Sequence, residues 1–422
     1  MMRKKLISLL LCGVVSATTM AGFAGCFGGD KDSSQSSQAG KQTVKLTLWG
    51  PTEHQTMLGE MVEAFKAANT DANYEITLGV CSEADAYTKL STDPSAGADV
   101  YAFANDQILN LNRVGALARL GGEALETMKS ANGTGAVNAT KIGEGYYAYP
   151  YSADNGYFLY YNKSVVKDTS TLEAILEACQ GASKKFVYDL DNSWYDAAFF
   201  FGTGCTYEVT YTEDGSAEKS VTCDFDDATK GVAAGKAMIN LAAAPAFLNG
   251  DDAVLKAGFA DGSVAAAVSG TWNAKDIQGY LGENYAACAL PTFTVDGKTY
   301  QMSSFAGYKL YGVNPHSEAL AEAHKLAAFL SGEAMQQKRF ETFEIGPSNT
   351  KVASSDAVKA NVALAALAAQ GAYAVAQTAV PNGFWGAVET FGKEVCAKTV
   401  TVENLQAKLT IMGNSIRSVA NS

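Results

Sequence analysis

Val44-Lys-Leu-Thr-Leu-Trp49-Gly50-Pro51-Thr52 opens the stretch from which the fold can be read. Val44, Leu46 and Leu48 alternate with Lys45 and Thr47, the period of a strand that buries one face, and Gly50-Pro51 ends the run. Leu58, Met61, Val62 and Phe65 then recur at i, i+3, i+4 and i+7, the apolar stripe of a helix. Tyr74 to Val80 reads as a second strand, so strand, helix and strand follow in the order of a parallel pair with a right-handed crossover. Val100 to Ala104 is a third strand, and Asp106 to Leu117 reads as helix, which makes the opening α/β. Ligands of such sheets collect at the carboxyl ends of the strands. That rule points to Trp49 through Gln55 and to Phe103 through Gln107.

Downstream, seven tyrosines fall between Tyr146 and Tyr161. Asp226 to Ala242 and Asp251 to Ala260 read as helices, Val264 to Ser269 and Phe305 to Val313 as strands, and Ser317 to Leu330 as another helix. The remainder is mostly helical, with a loop at Ile345-Gly-Pro-Ser-Asn349 and no repeat at 20 to 50 residues.

A chain of 422 residues has length for two or three domains. Its 44 acidic against 32 basic side chains, net −12, argue against a protein that grips a phosphate backbone. Arg3, Lys4 and Lys5, the apolar run Leu6 to Val15 and the small residues after it have the layout of a secretory signal over residues 1–25. Phe23-Ala24-Gly25-Cys26 resembles a bacterial lipoprotein box, with Phe23 where leucine is usual, so Cys26 is expected to be acylated. Gly28 to Lys41 is polar and flexible in composition, a tether with a reach of roughly 20 Å that completes a linker over 26–41. Loss of residues 1–25 removes three positive side chains and no negative one, taking the net charge to −15. An acidic body held outside the cytoplasm by a lipid anchor is expected.

Eight cysteines are too sparse for a disulfide scaffold, and none forms C-x-x-C. Cys205 and Cys223 bracket two β-prone runs around Asp214-Gly215; a hairpin centred on Asp214 would set the thiols opposite each other, as a bridge or as free thiols. No G-x-S-x-G, H-E-x-x-H or phosphate-loop motif is present, and three scattered histidines suggest neither a metal site nor a catalytic triad. Asp189-x-Asp191-x-Ser193 begins like a calcium loop, but Trp194 stands where glycine is needed. Neither a metal nor another cofactor is expected.

Three tryptophans sit in polar settings: Asn192-Ser-Trp194-Tyr195-Asp196, Gly270-Thr-Trp272-Asn273 and Asn382-Gly-Phe-Trp385. A single one reads most simply as a core aromatic beside a loop. Three together suit a pocket in which aromatic faces stack on the C–H face of a pyranose while neighbouring carboxylates and amides bond its hydroxyls.

These residues resemble the extracellular solute-binding proteins of ATP-driven sugar importers, in particular the maltose and maltodextrin branch. The likeness runs through Leu46-Thr-Leu-Trp49, Asp99-Val-Tyr-Ala-Phe103-Ala-Asn-Asp106, Ala148-Tyr-Pro150, Tyr160-Tyr-Asn-Lys163, Phe259-Ala-Asp-Gly262, Ser269-Gly-Thr-Trp272, Leu290-Pro-Thr-Phe293 and Phe384-Trp385. It implies an α/β, two-lobed clamp with discontinuous lobes and a hinge. Lobe I is expected over 42–154 and 305–360, and lobe II over 155–304 and 361–422. Carried over by position, Trp194, Trp272 and Trp385 would be stacking platforms of the second lobe, with Tyr195 beside them. Phe103 stands where the family often has tryptophan. Glu53, Asp106 and Asp154 match its sugar-holding carboxylates, and His54 and Gln107 stand where longer basic residues are common. The implied protein is a monomer, not an enzyme, that captures malto-oligosaccharides and delivers them to the membrane subunits of an ABC permease. Another oligosaccharide (galacto-, arabinogalacto- or xylo-type), a sensory role, and a secreted glycoside hydrolase working with two carboxyls are the alternatives.

Overall fold

The structure, a computed structural model, describes residues 41–212 and 217–418. The expected leader, Cys26 and nearly all of the tether lie outside the described residues, as does the tip of the Asp214 hairpin. No described helix is long and apolar enough to cross a membrane.

Strands β1 (Thr43–Gly50), β2 (Asn73–Val80), β3 (Val100–Ala104) and β4 (Tyr149–Gly156) begin a first sheet. The chain then crosses to a second sheet with β5 (Phe158–Asn162), β6 (Lys185–Tyr188), β7 (Phe247–Asn249), β8 (Val264–Ser269) and β9 (Tyr285–Cys288). It returns with β10 (Phe305–Val313), and β11 (Val375–Ala376) joins the first sheet last. β1 runs parallel to β2, with Leu46 opposite Ile76, and parallel to β3; β10 runs antiparallel to β3 and β4. The second sheet has the order β7-β6-β8-β5-β9.

The alternation read in β1 is the observed burial: Val44, Leu46 and Leu48 are inside, and Lys45 and Thr47 outside. Helix Gln55–Ala68 closes over that face with Met57, Leu58, Met61, Val62 and Phe65, and helix Leu320–Leu330 adds Ala323, Leu326 and Ala327. β8 is buried along its whole length, Val-Ala-Ala-Ala-Val-Ser, because helices cover both faces of its sheet. The second core centres on Phe199, Phe200 and Phe201 of helix Ser193–Gly202, with Phe225, Phe384 and Phe391 around them. Phe200 and Phe225 stack with centroids 4.5 Å apart.

The two sheets with their helices make a two-lobed α/β clamp. The chain passes between them at Gly156–Phe158, at Ser303–Phe305 and on either side of β11. Helices Val362–Gln370 and Phe384–Cys396 lie with the second lobe, whereas β11 between them pairs with β10 through Phe305 and Val375. An assignment of 361–422 wholly to lobe II therefore misses one short return to the first sheet. The helix expected over 106–117 is also shorter, a turn at Asn105–Gln107 followed by Ile108–Arg113. It stops at Val114 because Gly115 takes a left-handed conformation at φ 72°.

The Cys205 and Cys223 thiols are free and buried. Glu218 already faces Tyr211, one step off a hairpin centred on Asp214, and a bulge between Glu218 and Ser220 adds a second step, so Cys223 faces Tyr207 and not Cys205. Burial pushes the two thiols up to about 12 and about 11, which keeps them protonated and inert in the folded protein. Alkylation of the denatured, unreduced protein should modify both; protection of the pair would instead reveal a bridge.

Candidate functional site

The residues that bear chemistry gather where strands end and helices begin, along the boundary between the lobes. There a cavity of about 1010 Å³ is lined by Glu53, Glu83, Asp106 and Lys309 from the first lobe and by Trp194, Asp252, Trp272 and Trp385 from the second, with Gln377 between them. A recess of about 370 Å³ adjoins it and takes in Tyr195. Five of the nine residues expected from sequence, Glu53, Asp106, Trp194, Trp272 and Trp385, thus share one cavity.

Each tryptophan is set by its local turn. The Asn192 side chain accepts the Trp194 amide at 3.1 Å and starts helix Ser193–Gly202, so the indole leaves the first turn toward the cavity. Its Nε1 donates to Gln377 Oε1 at 2.8 Å. Trp272 lies in the turn Thr271–Asn273 directly after β8, and its Nε1 donates to Asp252 Oδ2 at 2.7 Å. Gly270 is required there, because a Cβ would fall 1.9 Å from the Trp272 ring. The Trp194 and Trp272 rings lie 5.9 Å apart and tilted by 37°, which makes one bent aromatic platform. Trp385, in the first turn of helix Phe384–Cys396, rests on Phe305 and Phe384 with centroid distances of 5.7 and 5.0 Å.

The first lobe supplies charge. Lys309, nearly buried in β10, places Nζ 5.0 Å from the centre of the Trp272 ring and 3.9 Å from Glu83 Oε1. Tyr151 donates its hydroxyl to that same Glu83 oxygen at 2.7 Å. Burial pushes the Glu83 carboxyl up, but Lys309, His54 and the Tyr151 bond outweigh it and leave it below the usual range. Burial likewise disfavours the Lys309 charge, and Glu83, Asp154 and other carboxylates more than restore it. The pair stays ionised at neutral pH. Among the described residues Asp106 has no such cation: burial lifts it to about 7, only partly opposed by hydrogen bonds from its own backbone and from Gln377. Asp189 across the cavity is also lifted to about 7, by burial and by neighbouring Asp191. Eight carboxylates and two lysines line the cavity, so its field is negative.

Three expected residues stand elsewhere. Phe103 is fully buried among Tyr101, Leu111 and Leu117, because on a strand covered on both faces its ring enters the core. His54 is buried against Phe343 at 4.9 Å, and burial lowers it to about 4, so it is a neutral ring and not a cavity contact. Asp154 is buried too: it accepts the Thr271 hydroxyl and the Gly346 amide at 2.8 Å, and so ties the lobes together beside the cavity. Sequence reasoning missed Glu83, Lys309, Asp252 and Gln377. Lys309 carried a signal, a charge inside the apolar run Phe305 to Val313, and Glu83 follows a strand end; Gln377 carried none.

The comparisons agree with this architecture. The chain is 26% identical over 397 residues to the galactooligosaccharide-binding protein of Bacillus subtilis (strain 168), covering 91% of this chain and 90% of that one. A solved structure with acarbose is 33% identical and superposes with a TM-score of 0.78 over 90% of this chain and 99% of that one. The maltose–maltodextrin binding protein of Alicyclobacillus acidocaldarius shares the fold, with a TM-score of 0.71 and 21% identity over 88% of this chain and all of that one. A family model for the bacterial extracellular solute-binding proteins matches residues 60–366, and the chain belongs to that family.

Proposed function

We propose that the protein binds a neutral oligosaccharide of malto type in this cavity, without cleaving it, and hands it to an ABC importer while a lipid on Cys26 holds it at the cell surface. The observation that carries the reading is the paired indoles of Trp194 and Trp272 lining one cavity of about 1010 Å³ with the carboxylates Glu53 and Asp106. Aromatic faces on the cavity wall suit the C–H faces of pyranose rings. Carboxylates and amides around them supply acceptors and donors for hydroxyls. The negative field disfavours anionic sugars. A second reading, a galacto-oligosaccharide, is favoured by the Bacillus subtilis relative.

Isothermal titration of residues 43–422 with maltotriose, against galacto-, xylo-, cello- and oligogalacturonate chains, tests the proposal. Saturable heat with maltotriose and none with oligogalacturonate is expected. Heat with a galacto-oligosaccharide alone would keep the clamp and replace the substrate. Sustained release of reducing ends from maltoheptaose would overturn the non-enzymatic reading.

A further inference from the structure

Gln377 follows β11 on a strand that crosses between the lobes, and it is 4% exposed. Its backbone is fixed to the first lobe: its amide donates to Ala306 O at 2.8 Å, and its carbonyl accepts Asn105 Nδ2 at 2.8 Å. Gly307 leaves room for this junction, since a Cβ there would lie 2.6 Å from Asn105 Oδ1 and 3.3 Å from Gln377 Cβ.

The side chain reaches both lobes. An indole N–H can only donate, so the contact from Trp194 Nε1 at 2.8 Å requires the carboxamide oxygen on that side. Asn155 Nδ2 donates to the same oxygen at 3.1 Å. The amide nitrogen is thereby turned to Asp106, where Nε2 meets Oδ1 at 2.9 Å. One carboxamide with a fixed orientation thus joins a carboxylate of the first lobe to an aromatic platform of the second.

The geometry points to Gln377 as a positioning residue: through its paired bonds to Asp106 and Trp194 it sets the register in which the lobes close and the angle at which the platform meets the ligand. This rests on the reading of the cavity as the sugar site, but its structural half does not need the sugar. These bonds join the two lobes in the arrangement described, so their loss is expected to act on that arrangement and therefore on ligand release.

The test uses residues 43–422. Gln377→Met, similar in size and unable to make either bond, is expected to enlarge the ligand-free particle in small-angle X-ray scattering. With maltotriose it is expected to weaken binding about tenfold, mostly through faster dissociation. Trp194→Phe, which lacks the indole donor, should cost less in the Gln377→Met background than alone. Gln377→Glu, measured at pH 9 where Asp106 is ionised, sets a carboxylate against Asp106 and should open the ligand-free form; adding Asp106→Asn reverses donor and acceptor and should close it again. Unchanged scattering in Gln377→Met and Gln377→Glu, with native melting curves, would overturn the proposal, as would additive losses in the Trp194 pair. If maltotriose fails on the unmutated protein, the scattering and the reversal still decide Gln377, and only the substrate reading falls.

Discussion

Asp106→Asn should stabilise the ligand-free protein, by about 1–3 kcal/mol at pH 8 and by much less at pH 4. The Asp106 carboxyl is lifted from 3.8 to about 7, by burial first, while no cation neutralises it. A raised carboxyl means that the folded state holds its proton more tightly than the unfolded chain. Its burial costs nothing below the unfolded value, where both states are protonated. The cost grows as pH rises through the window from about 4 to 7 and is complete above it. The full shift corresponds to about 4 kcal/mol, but Asp106 keeps an edge open to the cavity, and solvent there screens part of the charge. Asparagine never ionises, and its carboxamide oxygen still accepts Gln377 Nε2. Asp189 and the other carboxylates of the cavity remain in both proteins and cancel in the difference. Thermal unfolding of the two proteins from pH 4 to pH 8 gives the check. Equal gains at every pH would mean that the charge of Asp106 is not the cause, and a loss at pH 8 would mean that the carboxylate is better paired than its neighbours indicate.

The same residue shows where sequence reading succeeds and where it stops. Asp106 lines the cavity because it follows an apolar strand, Val100 to Ala104, and strand ends are where such sheets present their chemistry. The alternation of β1 and the stripe of helix Gln55–Ala68 were legible for a similar reason, since periodicity records which face is buried. Side-chain direction is a different matter. Phe103 precedes Asp106 by three residues, yet its ring goes into the core, because helices cover both faces of that strand and only its end meets the cavity. His54 adjoins Glu53, but one step along a tight turn moves it from the opening to a place against Phe343. Gln377 depends on contacts with residues 222 and 271 positions away, and no local pattern encodes those. The hairpin register failed by two steps, one already present where Glu218 faces Tyr211 and one added by a bulge, and neither changes the composition of either strand.

Trp272→Ala should weaken binding of the preferred oligosaccharide by about 1–3 kcal/mol, tenfold to more than a hundredfold, and Trp194→Ala by a comparable amount. Both indoles are half-buried and line the cavity, and both have their ring nitrogens tied, Trp272 to Asp252 and Trp194 to Gln377. Fixed in this way, they lose little freedom when a sugar docks, and the contact energy reaches the affinity nearly undiminished. Trp272 carries a second burden. Lys309 crosses from the first lobe to lie 5.0 Å from its ring centre, so alanine there also strips a cation–π partner from a nearly buried ammonium. Trp272→Phe separates the two effects: it keeps an aromatic face for the sugar and for Lys309 but loses the bond to Asp252, and it should retain most of the affinity. Trp385→Ala is expected to cost about 1–3 kcal/mol of binding if that ring also stacks, and in addition some stability, since it packs on Phe305 and Phe384. Titration of the four variants, beside their melting curves, reads both. Unchanged dissociation constants in Trp194→Ala and Trp272→Ala would remove the bent platform from the site, and the ligand would then have to be sought along the carboxylate wall formed by Glu53, Glu83 and Asp106.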